Sequence, residues 1–326
     1  MKFTLKKSVS RSGLTAALSL AMLGAVPTLA RADALAQSYF AITNFQLGYN
    51  TANVTPTSLP GVAFNAAATF GGVTGTPVIG PTQAMAMVGP NALSFNQNTK
   101  VSAPVIPALN YAGGFASQTG NSAPGGGGAQ ALTSAIVSVV PQGSLPNSSA
   151  GSNLLSQQFN VRVAGGAQAI TVDFTADMFI RAFLNAGSGV FQGGNAQGKT
   201  VWTLNVSRDI GAGSFQDVLS WNPNSVAGGG LVCSDPSVTL CSSTSAFRLN
   251  NIVSAFNSPE NATFINNGNF NAGFTLATGN YRFEISHDSQ ASARIAVPEP
   301  GTLALVGLSL VGLAAVGRRR VARQAA

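Results

Sequence analysis

The sequence predicts an all-β protein: an antiparallel, jelly-roll-like β-sandwich flanked by an N-terminal signal helix and a short C-terminal transmembrane helix. Three observations carry that expectation. Apolar residues alternate with polar ones over many segments, as they do on strands with one buried face. Gly, Asn and Pro clusters punctuate those segments as turns. Each end of the chain sets a short apolar run beside clustered basic residues, unlike the body between.

At the N-terminus, residues 2 to 11 are basic, and Leu14 to Ala25 form an apolar run of the length of a secretory signal. Small-x-small cleavage sites follow at Ala30-Arg31-Ala32, Ala32-Asp33-Ala34 and Ala34-Leu35-Ala36. Residues 1–36 are therefore assigned to a cleaved signal peptide, with the bond left open among the three. Residues 37–296 form the β-rich body, and 297–326 form a separate C-terminal device.

The body opens on a stretch in which Lys100 is the single charged residue between Asp33 and Arg162. Within it, "SYFAITNFQLGY" (38–49) and "SAIVSVV" (134–140) read as strands. The Gly-rich segment 120–130 reads as a linker and a candidate sub-boundary. The second half alternates more clearly. Phe159, Val161 and Val163 share one face of a strand, as do Ile170, Val172 and Phe174. Trp202, Leu204 and Val206 form a third set, and Tyr281, Phe283 and Ile285 a fourth. The last two strands are expected to form a hairpin. Residues 174–189 are ambiguous: they read as a continued strand or, in the preferred reading, as a short helix or irregular crossover, because Phe179 and Phe183 lie at i, i+4 beyond a capping Thr175.

Charge excludes one class of function. The formal net charge is +7, but five basic residues lie in the first 31 positions and four in the last nine. The stretch between carries eight basic residues against all ten acidic ones. Nucleic-acid binding needs clustered Lys and Arg on the folded domain, so no nucleic-acid partner is expected.

The chain's two cysteines, Cys233 and Cys241, enclose a short Pro-containing loop and are expected to form a disulfide after export. Two cysteines without a nearby histidine do not make a metal site, and no metal or cofactor is expected. The chain's only histidine, His287, precedes Asp288 on a strand, where neighbours point to opposite faces and cannot act as a base and its orienter. Asp173 and Asp177 share a face but lack the further acids of a calcium loop; Asp209, Asp217, Asp235, Glu260 and Glu284 are scattered. The glycine runs 125–128 and 228–230 lack the Lys of a phosphate loop and read as flexible loops. No catalytic residue is therefore assigned. Trp202 belongs to an apolar strand face, whereas Trp221, before Asn222-Pro223-Asn224, is the candidate for an exposed ligand contact.

The C-terminal device begins with Val297-Pro298-Glu299-Pro300, whose prolines favour an extended backbone. Residues 303–317 follow as an apolar run that spans about 22 Å as a helix, short of a hydrocarbon core of about 30 Å. Arg318, Arg319 and Arg320 then act as a stop that holds the C-terminus on the cytoplasmic side. This composite resembles the PEP-CTERM sorting signal of Gram-negative bacteria. The resemblance implies processing near the motif by an exosortase, a transient membrane hold through residues 303–317, and delivery to the cell surface or extracellular matrix. It brings no catalytic residues to the body.

These observations lead to a non-enzymatic structural protein of the cell surface or biofilm matrix. A carbohydrate- or polymer-binding adhesin, with extracellular polysaccharide as partner, is the alternative. A secreted hydrolase is the weakest reading, since it requires Asp173, Asp177 or His287 to converge in a cleft.

Overall fold

The computed structural model describes residues 33–59, 65–96, 100, 110–119, 127–138, 147–185, 194–224, 227–243, 248–257 and 260–295. The signal helix and the transmembrane helix expected from sequence lie outside these residues. In chain order the strands of the first half are β1 (Asp33–Tyr49), β2 (Val54–Ser58), β3 (Ala67–Phe70), β4 (Val73–Thr74), β5 (Val78–Ile79), β6 (Gln83–Val88), β7 (Tyr111–Thr119), β8 (Gly127–Ser138) and β9 (Asn147–Val163). The second half adds β10 (Gln168–Asn185), β11 (Gly194–Gly211), β12 (Ser214–Trp221), β13 (Leu231–Cys233), β14 (Val238–Ser243), β15 (Asn251–Phe256), β16 (Glu260–Leu276) and β17 (Gly279–Ile295). Two short 3-10 turns, Ala92–Ser94 and Ala227–Gly230, are the helical elements among the described residues.

All strand pairs are antiparallel, and they build two sheets. The first runs β14-β16-β10-β1-β8-β7-β6-β5; the second runs β13-β12-β11-β17-β9-β3-β4, with β15 added on β11 and β2 on β9. The central strands are long: β1, β16 and β17 have 17 residues, and β10 and β11 have 18. At about 3.3 Å per residue such strands reach roughly 55 Å. Their inner faces meet in one core. Every inward residue assigned from the period-2 pattern is buried: Phe159, Val161, Val163, Ile170, Val172, Phe174, Trp202, Leu204, Val206, Tyr281, Phe283 and Ile285. At the centre, Phe174 lies 4.9 Å from Trp202, 5.7 Å from Trp221 and 5.2 Å from Phe270, ring centre to ring centre. Aromatic groups of this size dominate the apolar area a core removes from water.

Two expectations are corrected. Residues 174–185 do not turn into a helix; they continue β10 to Asn185, paired with β1 and β16 along their length. Met178 through Ala182 are all buried, because this part of β10 is covered on both faces. Inward residues join the main core, while on the outer face Phe183 packs in a second cluster with Leu35, Tyr39, Phe95, Tyr111 and Phe115. Burial on both faces erases the alternation and leaves the i, i+4 aromatic spacing that imitates a helix. The last two strands do not form a hairpin either: β16 and β17 belong to different sheets, and Ala277-Thr278 crosses between them. That crossing is held locally, since Tyr281 Oη donates to Ala277 O (2.9 Å) and Gly166 N donates to Thr278 Oγ1 (3.2 Å). The strands on either side of the Gly-rich segment lie side by side. β7 and β8 pair in one sheet, with Tyr111 opposite Ile136 and Thr119 opposite Gly128.

The disulfide Cys233–Cys241 is present, with a Cα–Cα distance of 6.6 Å. Cys233 ends β13 at one edge of the second sheet, and Cys241 lies in β14 at one edge of the first. A loop that is local in sequence thus ties the two sheets together. Sequence alone suggested only a stapled loop.

Candidate functional site

The registers place the ends of the body together. Asp33 pairs with Asn185 and with Ser138, and Ile295 pairs with Gly194. The short connections Ala164 to Ala167 and Ala277-Thr278 join the sheets at the opposite end. The first residue of β1 and the last of β17 therefore leave the sandwich at the same pole. In the interior between them, Ser289 Oγ donates to Ser38 Oγ (2.8 Å), and Ser38 Oγ donates to Lys199 O (2.8 Å). β17 stays packed to its final residue: Ala291, Ala293 and Ile295 are 2%, 0% and 1% exposed. The described fold therefore runs to residue 295, two positions before the Val297-Pro298-Glu299-Pro300 segment begins.

Residues 296–320 match the PEP-CTERM protein-sorting motif. The chain carries this signal directly behind its last core strand. The PEP-CTERM motif implies export, processing by an exosortase, a membrane-associated C-terminus and sorting toward the cell surface of a Gram-negative bacterium. It covers the expected sorting residues, Val297 to Pro300, and the stop residues Arg318, Arg319 and Arg320, all of which lie outside the described structure. No curated protein and no solved structure matches the chain.

The body's candidate residues are not brought together. Trp221 is not exposed: it is fully buried (0%), 5.3 Å from Trp202, and its Nε1 donates to Gly229 O (3.1 Å). The reason is a register shift between Val206 and Ser207 opposite β12, after which Val218 and Leu219 are buried in succession and Trp221 turns inward. The glycines that receive it belong to the 3-10 turn Ala227–Gly230. Gly229 and Gly230 have φ of 60° and 73°, and a Cβ on Gly230 would sit 1.8 Å from Asn222 O. Only glycine satisfies both requirements.

Asp173 and Asp177 both lie on the outer face of the first sheet. Four residues along a strand put their backbones about 13 Å apart, beyond the carboxylate spacing of a glycosidase. Each has another partner: Asn271 Nδ2 donates to Asp173 Oδ1, and Lys100 Nζ pairs with Asp177 Oδ2. Lys100 Nζ also sits 4.5 Å from the centre of the Tyr39 ring. Burial, followed by the nearby Asp177 charge, pushes the Tyr39 hydroxyl above its ordinary pKa. This Lys100–Asp177–Tyr39 contact was missed by sequence reasoning. Its signal was the isolation of Lys100 in an otherwise uncharged stretch.

His287 is buried (2% exposed) and meets the edge of Phe40 at 4.2 Å between ring centres. Neither ring nitrogen has a hydrogen-bond partner among the described residues. Burial pushes its pKa down to about 3, so the ring is neutral. Asp288 points to the other face, half-buried, where burial raises its carboxyl while Lys199 acts against that rise. A base and two acids thus occupy three different places.

The outer face of the second sheet carries a shallow polar groove of about 220 Å³. Gln197 and Lys199 of β11, Gln290 and Ser292 of β17, and Ser149 and Gly151 of β9 line it. Its amides are partly engaged: Gln197 Nε2 donates to Ser254 Oγ (3.0 Å), and Gln290 Nε2 donates to Asp288 Oδ2 (2.7 Å). Amide, hydroxyl and amine groups at one surface can exchange hydrogen bonds with a neutral polar ligand. Among the described residues, no group of three or more His, Cys, Asp or Glu side chains is placed to hold a metal ion.

Proposed function

We propose that the chain is a non-enzymatic structural protein of the cell surface or extracellular biofilm matrix. In this reading it crosses the inner membrane, is held briefly by residues 303–317, and is processed by an exosortase near Pro298-Glu299-Pro300. The observation that carries the reading is the join between the packed end of β17 at Ile295 and the PEP-CTERM motif at residues 296–320. A sandwich whose two ends leave from one pole suits a tethered stage, with the opposite pole facing outward. The wide separation of Asp173, Asp177 and His287 supports a role without catalysis. Deleting residues 298–326 tests the proposal. The truncated chain is expected in the periplasm or medium instead of at its normal surface location; unchanged surface display would overturn it.

A second reading, binding of extracellular polysaccharide, is favoured by the polar groove of Gln197, Lys199, Gln290 and Ser292. In this reading the ligand is held by hydrogen bonds from amides and hydroxyls. Binding to purified extracellular polysaccharide should fall in a Gln197→Ala, Gln290→Ala double variant. Equal binding by the variant would remove the groove from consideration.

A further inference from the structure

We infer that signal peptidase cleaves the chain between Ala32 and Asp33, so that the mature protein begins with the first residue of β1. The inference rests on the export reading above and deepens it. Three small-x-small sites follow the apolar run of the leader, and sequence does not choose among them. The fold does.

Cleavage after Ala34 or Ala36 would remove residues that β1 uses. Asp33, Ala34, Leu35 and Ala36 pair with Asn185, Leu184, Phe183 and Ala182 of β10 on one side. On the other side they pair with Ser138, Val137, Ile136 and Ala135 of β8. β1 is thus an interior strand from its first residue. Ala34, Leu35 and Ala36 are each 0% exposed. Ala34 and Ala36 face the main core, and Leu35 packs in the outer cluster with Phe95, Tyr111 and Phe115. Loss of these four residues would unpair the ends of β8 and β10 and open both apolar layers. Backbone groups unpaired inside a sheet carry a desolvation cost. Cleavage after Ala32 removes none of these contacts, and it places Ala30 and Ala32 at the two small positions of the site.

The same logic bounds the other end. Ile295 is 1% exposed and pairs with Gly194, so C-terminal processing must spare residue 295. The mature chain then starts and ends at one pole of the sandwich, with no dangling segment before β1.

N-terminal sequencing of the protein recovered from the cell surface or medium tests this bond. The expected first residue is Asp33. A start at Arg31, Leu35 or Gln37 would overturn the inference and leave export standing, whereas an intact leader on surface-located protein would contradict cleavage altogether. The variant Ala32→Gln separates the sites further. It spoils the first two sites and leaves Ala34-Leu35-Ala36 intact, so unprocessed chain is expected to accumulate. Efficient processing of that variant to a Gln37 start would show that the strand-internal site is the one used.

Discussion

Replacing His287 with leucine should remove a loss of stability that the native protein shows on mild acidification. The imidazole lies between the sheets against Phe40, with neither nitrogen hydrogen-bonded among the described residues. Protonation would place an unpaired charge in the core, and burial holds the pKa at about 3 against 6.5 for the free side chain. The folded pKa is depressed, so the unfolded chain takes up a proton first. Full stability is present above pH 6.5 and is lost as the pH falls from 6.5 toward 3. For one proton with these two values, the loss between pH 7.5 and pH 5 is about 2 kcal/mol, rising to about 4 kcal/mol at pH 3. The measurement is urea unfolding of the disulfide-intact body at pH 7.5, 6 and 5. Asp288 acts with the opposite sign, because its raised pKa lets the folded state bind a proton earlier. That contribution is common to both proteins and cancels in their difference. The native protein should lose about 2 kcal/mol more than His287→Leu over this range. Equal slopes would refute the claim that the ring is buried and uncharged.

Two further perturbations test the packing. Phe174→Ala empties the position shared by Trp202, Trp221 and Phe270; it should cost about 3–5 kcal/mol in denaturant unfolding. A cost below 1 kcal/mol would mean that these rings do not form one cluster. The Cys233→Ser, Cys241→Ser pair opens the clasp between the sheet edges, a loop of eight-residue separation. It should lower stability by about 2–3 kcal/mol on the chain-entropy account while leaving export unchanged. A fully reduced native protein of undiminished stability would show that the bond does not support the sandwich.

The parts of this fold that were legible in sequence are those with one wet face. The strands containing Phe159, Ile170, Trp202 and Tyr281 announced themselves because each alternates between core and solvent. What failed was local pattern under two-sided burial. At Met178–Ala182 the residues of both faces are buried, and strand periodicity vanished. Pairing failed for a different reason: "ATGN" marks a turn but does not say whether the chain returns to its own sheet or crosses. Trp221 was misjudged because it precedes the Asn222-Pro223-Asn224 turn; past the register shift at the apolar Val218-Leu219 pair it shares the buried face of Leu219. The sorting device was legible because its evidence is linear: a triplet, a short apolar run and an arginine stop within one segment.

The most direct test of the account is the C-terminal mass of the mature protein. Material recovered from the surface or medium should end close to Pro298-Glu299-Pro300 and lack Arg318, Arg319 and Arg320. In cells without a functional exosortase, the arginines should be retained and the chain should stay with the membrane. Surface-located protein that still carries all three arginines in normal cells would contradict the account.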